Sequence, residues 1–133
     1  MKTLKVNIVT PDGPVVETEA DMIIATTESG EMGILPGHIA MVAPLQIGAI
    51  RLNKGNTTEV VAVHGGFIEV RPDVVTVLAQ SAETASTIDL ARAKAAAKIA
   101  EADLQAKKDD TEYKKAELDL KRAKNRINVY ESK

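Results

Sequence analysis

The chain has 133 residues and a net charge of -2, room for one compact domain or for a small core with an appendage, and no general attraction to nucleic acid or an anionic membrane. It contains no cysteine, which excludes disulfides, cysteine-ligated zinc and a cysteine nucleophile. Only Phe67, Tyr113 and Tyr130 are aromatic, too few for the stacking platforms that hold single-stranded nucleic acids or sugars.

The amino-terminal MKTLKVNIVT lacks a signal-peptide core, and the longest apolar run, Ile39 to Leu45, has seven residues against the ~20 of a membrane-spanning helix. These features predict a soluble, cytoplasmic chain. Leu4, Val6 and Ile8 alternate with Thr3, Lys5 and Asn7, Ile50 and Leu52 with Arg51 and Asn53, and Ile68 and Val70 with Glu69 and Arg71. That period of two marks half-buried strands. Met22 to Ala25 and Val60 to Val63 are apolar at every position, as expected of strands sandwiched between layers or partly covered by a neighbour. Turn chemistry separates the runs: PDGP at 11–14, ESGEMG at 28–33, PGH at 36–38, NKGN at 53–56, HGG at 64–66 and RPD at 71–73. The spacing predicts roughly eight to ten short strands in a sandwich or barrel.

All eight glycines and all five prolines lie at or before Pro72, so the composition changes abruptly there. From about residue 84 the pattern is helical. Eight of the sixteen residues from Ala91 to Ala106 are alanine, the strongest helix former, and Ser86 with Asp89 offers a capping-box start. A first helix is predicted over Ile88 to Lys107. KKDDT at 107–111 then breaks the pattern, with Asp109, Asp110 and Thr111 each able to cap a second helix. Tyr113, Ala116, Leu120, Ala123, Ile127 and Tyr130 form a regular seam on that helix for one partner. Two helices joined by a short break predict an antiparallel hairpin with a thin, alanine-rich interface.

Charge divides unevenly between the halves, with net -5 over residues 1–83 and +3 over 84–133. The basic excess sits on the second helix, at Lys114, Lys115, Lys121, Arg122, Lys124 and Arg126. It reads either as a solvated face or as a surface for an acidic partner.

The Gly-rich stretch SGEMGILPGHIAMVAPL at 29–45 matches neither the spacing of a dinucleotide loop nor that of a P-loop. A strand follows it, so no helix N-terminus is available for phosphate. Pro36-Gly37 instead suits the centre of a type II turn. His38 and His64, the two histidines, read as turn or surface residues, and no catalytic or metal-binding constellation is found. In IDLARA, residues 88–93, Asp89 and Arg92 are three apart, and Arg122 and Arg126 are four apart on the second helix. An antiparallel hairpin lets the three arginines converge, where an anionic ligand would bridge them; pairing with Asp119 or Asp89 is the alternative.

Taken together, NIVTPDGPVVE (7–17), SGEMGILPGHIAMVAPL (29–45), GGFIEVRPDVVTVLAQSAE (65–83), IDLARA (88–93) and AELDLKRAKNRI (116–127) resemble the epsilon subunits of bacterial F-type ATP synthases, especially those of bacilli. The resemblance runs the whole chain. It implies an α+β protein: an N-terminal antiparallel β-sandwich over 1–84, docked on the central stalk, and a C-terminal antiparallel two-helix hairpin over 85–133 that regulates. It implies a non-catalytic rotor subunit of a proton-translocating synthase, peripheral on the cytoplasmic face of the cell membrane. Partners would be the gamma subunit, the c-ring and the α/β catalytic hexamer, with Glu31 at the tip of the 29–33 turn facing the c-ring and His38 toward gamma.

By the same resemblance the basic helix, with Lys114, Lys115, Lys121, Arg122, Lys124 and Arg126, inhibits ATP hydrolysis when the hairpin extends. ATP is a regulatory ligand of the closed hairpin, held by Glu83, Ile88, Asp89, Arg92, Ala93, Arg122 and Arg126, with no obligatory cofactor and no metal. Where some ATP-binding members have a further basic residue in the first helix, this chain has Ile99. The alternative function is a free-standing β-sandwich adaptor whose helical arm binds a nucleotide or another protein.

Overall fold

A computed structural model describes residues 2–106 and 109–132. Eight strands come first: β1 (Leu4–Thr10), β2 (Gly13–Ala20), β3 (Met22–Thr27), β4 (Gly30–Ile34), β5 (Met41–Lys54), β6 (Thr57–Val70), β7 (Val74–Ala79) and β8 (Ala82–Thr84). A 3-10 turn at Ala85–Thr87 leads to α1 (Leu90–Gln105), and α2 (Asp110–Glu131) follows.

The strands form one sheet in the order β2-β1-β7-β6-β5-β3-β4, with β8 also on β6. Pairing is antiparallel except between β1 and β7, which run parallel. The two longest strands serve both layers of the sandwich. The first half of β5 pairs with Gly66–Val70, which also pairs with β7; the second half pairs with Thr57–His64, whose residues Val61–Val63 also pair with β8.

Between those halves the ladder skips Gln46 and Gly65, and Gly65 and Gly66 both have positive φ, 80° and 118°. HGG is therefore no chain reversal. It is the corner at which β6 passes from one layer to the other, and glycine supplies the backbone conformation that the corner needs.

Folding the sheet over brings Leu4, Val6, Ile8, Ile68, Val70, Val75 and Val77 of one layer against Ile23, Ile34, Ile50, Leu52, Val61 and Val63 of the other, all buried. These are the inward positions of each alternating strand, as the sequence pattern requires. The run Val60–Val63 is buried on both faces: Val61 and Val63 enter this core, while Val60 and Ala62 lie in a second cluster with Ala85, Ile88 and Val129. The hairpin covers that outer face.

Two predicted boundaries shift. The turn in ESGEMG is confined to Glu28 and Ser29, since Thr27 already pairs with Gly30. Glu31 thus lies within β4, 4.0 Å from Arg51, rather than at a turn tip. The first helix begins at Leu90, because the Asp89 side chain accepts from the Arg92 backbone N–H at 3.0 Å and is itself the N-cap. The end predicted at Lys107 lies outside the described residues. In α2 the cap is Asp109, accepting from the Glu112 N–H at 2.9 Å.

Within the hairpin, Ala93, Ala97 and Ala100 of α1 and Ala116 and Ala123 of α2 are buried. Of the predicted seam, Tyr113 is exposed, and the large apolar residue that α2 buries is Val129, turned to the sandwich rather than to α1. The accessible surface is 7957 Å², above the ~6,800 Å² of a compact monomer of this mass. A sandwich with a thinly attached arm accounts for the excess.

The corner supplies a stability test. A Cβ on Gly66 would stand 2.1 Å from the Leu78 carbonyl oxygen, at a φ that side chains avoid. Gly66→Ala should lower unfolding free energy by about 3 kcal/mol or more. Urea denaturation measures it, and a wild-type midpoint would refute the corner's role.

Candidate functional site

The hairpin is held down over the second layer by a short stretch of α2. Asn125 donates from Nδ2 to the Gly48 carbonyl at 2.9 Å, and Arg126 donates from Nε to the Glu83 carboxylate at 2.5 Å. Val129 fills the apolar space between them and Ile88. This contact brings β8, the start of α1 and the end of α2 together, as an antiparallel hairpin must.

A cleft of about 440 Å³ opens at that junction, lined by Glu83, Thr87, Asp89, Arg92, Ala93, Ala96 and Arg126. Five of the seven residues expected at a ligand site line it: Glu83, Asp89, Arg92, Ala93 and Arg126. The other two do not. Ile88 is buried beside Val129, and Arg122 sits one turn earlier on α2, bound to Asp119 at 3.3 Å. Arg122 lines an adjoining hollow of about 210 Å³ with Arg126, Ala96, Ile99, Ala100, Asp103 and Asp119. Arg126 is shared between the two spaces.

Chemically, the cleft presents two guanidiniums, two carboxylates and a threonine hydroxyl above an alanine floor. Guanidinium forks suit phosphate oxygens, and alanine leaves room for a flat ring. The Asp89 carboxylate is partly committed to the helix cap and that of Glu83 to Arg126, so the positive field of Arg92 is the less compensated one.

The six basic residues of α2 do not form one free stripe. Lys114, Lys115, Lys121 and Lys124 are exposed, whereas Arg122 and Arg126 are held by Asp119 and Glu83. His38 occupies the loop between β4 and β5, its Nδ1 2.8 Å from the Ile39 carbonyl. The His38 N–H donates to the Leu35 carbonyl at 3.1 Å with Gly37 at φ 88°, the type II turn predicted at Pro36-Gly37.

His64 departs from expectation. It is 2% exposed, near the end of the buried stretch of β6, with Nδ1 2.9 Å from the Ser81 hydroxyl oxygen. Its pKa is lowered from 6.5 to about 4, by burial first and then by the positive charge of Arg126. The alternation Val60, Ala62, His64 was the available signal: it places His64 on the face that the hairpin covers.

On the first layer, the outer face is uncovered. Pro44 of β5, Phe67 of β6, Leu78 of β7 and Val9 of β1 stand in one cross-strand row. Phe67 and Leu78 are 55% and 56% exposed, and Val42, Leu35 and Ile39 nearby are also exposed.

Residues 3–85 match the family described as ATP synthase, Delta/Epsilon chain, beta-sandwich domain, and residues 86–131 match ATP synthase, Delta/Epsilon chain, long alpha-helix domain. The ATP synthase epsilon chain of Bacillus velezensis is 60% identical over 129 residues, covering 97% of this chain and 98% of that one. That of Anoxybacillus flavithermus is 67% identical over 107 residues, 80% of each chain. Among solved structures, a chain of the Euglena gracilis mitochondrial ATP synthase OSCP/F1/c-ring assembly superposes with a TM-score of 0.82 at 23% identity, covering 94% of this chain and 79% of that one. Matched end to end in sequence and sharing that fold, the chain belongs to the family of ATP synthase delta/epsilon chains.

Proposed function

We propose that this chain is a non-catalytic rotor subunit in the central stalk of a proton-translocating F-type ATP synthase, and that its hairpin senses ATP and restrains ATP hydrolysis. Family membership supports the first half. The arginine-lined cleft at the base of the hairpin is the observation that carries the second. Among the described residues no helix is long and apolar enough to cross a membrane, so attachment would be peripheral, through the other subunits on the cytoplasmic face.

The sandwich has two outer faces with different fates. One is covered by the hairpin; the other exposes the row of Pro44, Phe67 and Leu78. An apolar row of that kind is the surface that a stalk partner such as the gamma subunit would cover. The loop carrying His38 adds Leu35 and Ile39 to it. Glu31 lies apart from this row, on β4 beside Arg51, where an exposed carboxylate would meet the c-ring.

ATP entering the cleft would set its phosphates between Arg92 and Arg126 and so join α1 to α2. Binding only to the closed form stabilises it by RT ln(1 + [L]/Kd), so ATP well above Kd would keep the hairpin down. With ATP gone, the hairpin would leave the sandwich, freeing Arg126 from Glu83 of β8 and adding it to the basic surface of α2. That surface then suits an acidic segment of the catalytic hexamer.

Three outcomes are expected. ATP at millimolar concentration should slow amide exchange across α1 and α2 in the isolated chain, and Arg92→Ala should abolish that protection; unchanged exchange in the wild type would remove the sensing claim alone. Removing residues 88–133 should raise ATP hydrolysis by the reconstituted synthase without preventing assembly, and unaltered hydrolysis would mean the hairpin does not inhibit. Phe67→Asp should reduce co-purification with gamma at least tenfold, whereas wild-type recovery would place the stalk contact elsewhere.

A further inference from the structure

Beneath α2 lies a second, larger opening of about 790 Å³, whose lining includes His64, Gln46, Lys121, Arg122, Lys124 and Asn125. His64 sits at its sandwich side, and its imidazole cannot accept a proton cheaply there. Its Nε2 is buried without a hydrogen-bond partner among the described residues. Its Nδ1 faces the Ser81 hydroxyl, which gives or takes one hydrogen bond with a neutral ring.

We propose that the sandwich-hairpin contact is proton-sensitive, with protonation of His64 driving α2 off the sheet. The charged groups around the ring come from α2, from β8 and from the β3–β4 turn. Arg126 and Arg122 of α2 oppose a charge on it, and Glu83 of β8 favours one, but that carboxylate is already bound to Arg126. Lys121 of α2 lines the same opening, and Glu28, at the β3–β4 turn, is the acidic group on its sandwich side. When α2 leaves, the imidazole meets water and the two arginines go with the helix. Both causes of its suppressed basicity disappear together.

Release therefore takes up a proton. With the docked ring titrating at about 4 and the released one near 6.5, docking is at full strength above the higher value. It weakens as pH falls through the window between them, and it loses nothing further below the lower one. The docking constant should be roughly tenfold smaller at about pH 5.5 than at about pH 7.5. The inference rests on a hairpin able to leave the sandwich but not on ATP binding, and its test contains no nucleotide.

The full chain, which has no cysteine of its own, would carry donor and acceptor dyes at Thr58→Cys in β6 and Glu117→Cys in α2. Transfer should fall as pH is lowered from about 7.5 to about 5.5 and recover on return, and His64→Gln should remove that response. A pH-independent signal, or a response that persists in His64→Gln, overturns the proposal. Should the glutamine variant not fold, nuclear magnetic resonance of the His64 imidazole, assigned apart from that of His38, decides. His64 should titrate well below its ordinary value in the wild type and at that value in Val129→Asp, where a carboxylate in the apolar contact should undock the hairpin. Equal titration in the two chains overturns it.

Discussion

The stretch Val60–His64 is buried on both faces, and the rest of the structure depends on that. A strand with two apolar faces needs a layer on each side. The sheet provides one by folding over at Gly65 and Gly66, so that Val61 and Val63 meet β1 and β7. The hairpin provides the other by laying Val129 and Ile88 over Val60 and Ala62. One strand thereby ties the core between the layers to the cover that the hairpin forms. The first layer has no such tie on its outside, which is why the row containing Phe67 and Leu78 stays exposed.

The two interfaces differ in strength by composition. The core between the layers is built of leucine, isoleucine and valine, most of them without exposed surface. The hairpin's inner seam is alanine against alanine, and its contact with the sandwich rests on Val129, Ile88 and the partly buried Tyr130, with alanines around them. Burial at ~25 cal/mol per Å² makes the first contact large and the second only a few kcal/mol. Polar contacts such as Asn125 to Gly48 and Arg126 to Glu83 add direction more than strength, since partly exposed pairs contribute little. The proposed detachment of the hairpin would therefore leave the core between the layers in place.

Much of this was legible in the sequence because burial leaves a period. The alternating strands, the two-faced run at Val60 to Val63 and the alanine helix all read correctly from residue type and spacing. The local signals that misled were ambiguous ones. A Gly-Gly pair with positive φ serves a strand corner as well as a reversal, and Ser86 and Asp89 are both competent caps, of which the structure uses the second. The parallel pairing of β1 with β7 joins strands more than sixty residues apart, and no local pattern records it. Antiparallel spacing brought Arg92 and Arg126 to one cleft, while Arg122, bound to Asp119, faces the adjoining hollow instead. Which of two adjoining spaces each one faces is decided by Asp119 and Glu83, partners that spacing alone does not rank. His64 was hidden by its type, since histidine beside two glycines reads as a turn, though its parity with Val60 and Ala62 pointed inward.

Arg126 is where these features meet. It fastens α2 to β8, lines the cleft beside Arg92, borders the hollow beside Arg122, and bears on the imidazole of His64. Its bond to Glu83 is made through Nε, one of the five N–H donors of a guanidinium. An anion entering the cleft need not displace Glu83 to reach this side chain, and by adding a second acceptor it would hold the guanidinium, and with it α2, where docking requires it. A proton on His64 acts on the same side chain in the opposite sense, by placing a positive charge beneath it. On the two proposals, anion and proton would pull one residue in opposite directions. A hairpin whose apolar attachment amounts to a few kcal/mol lies within reach of both.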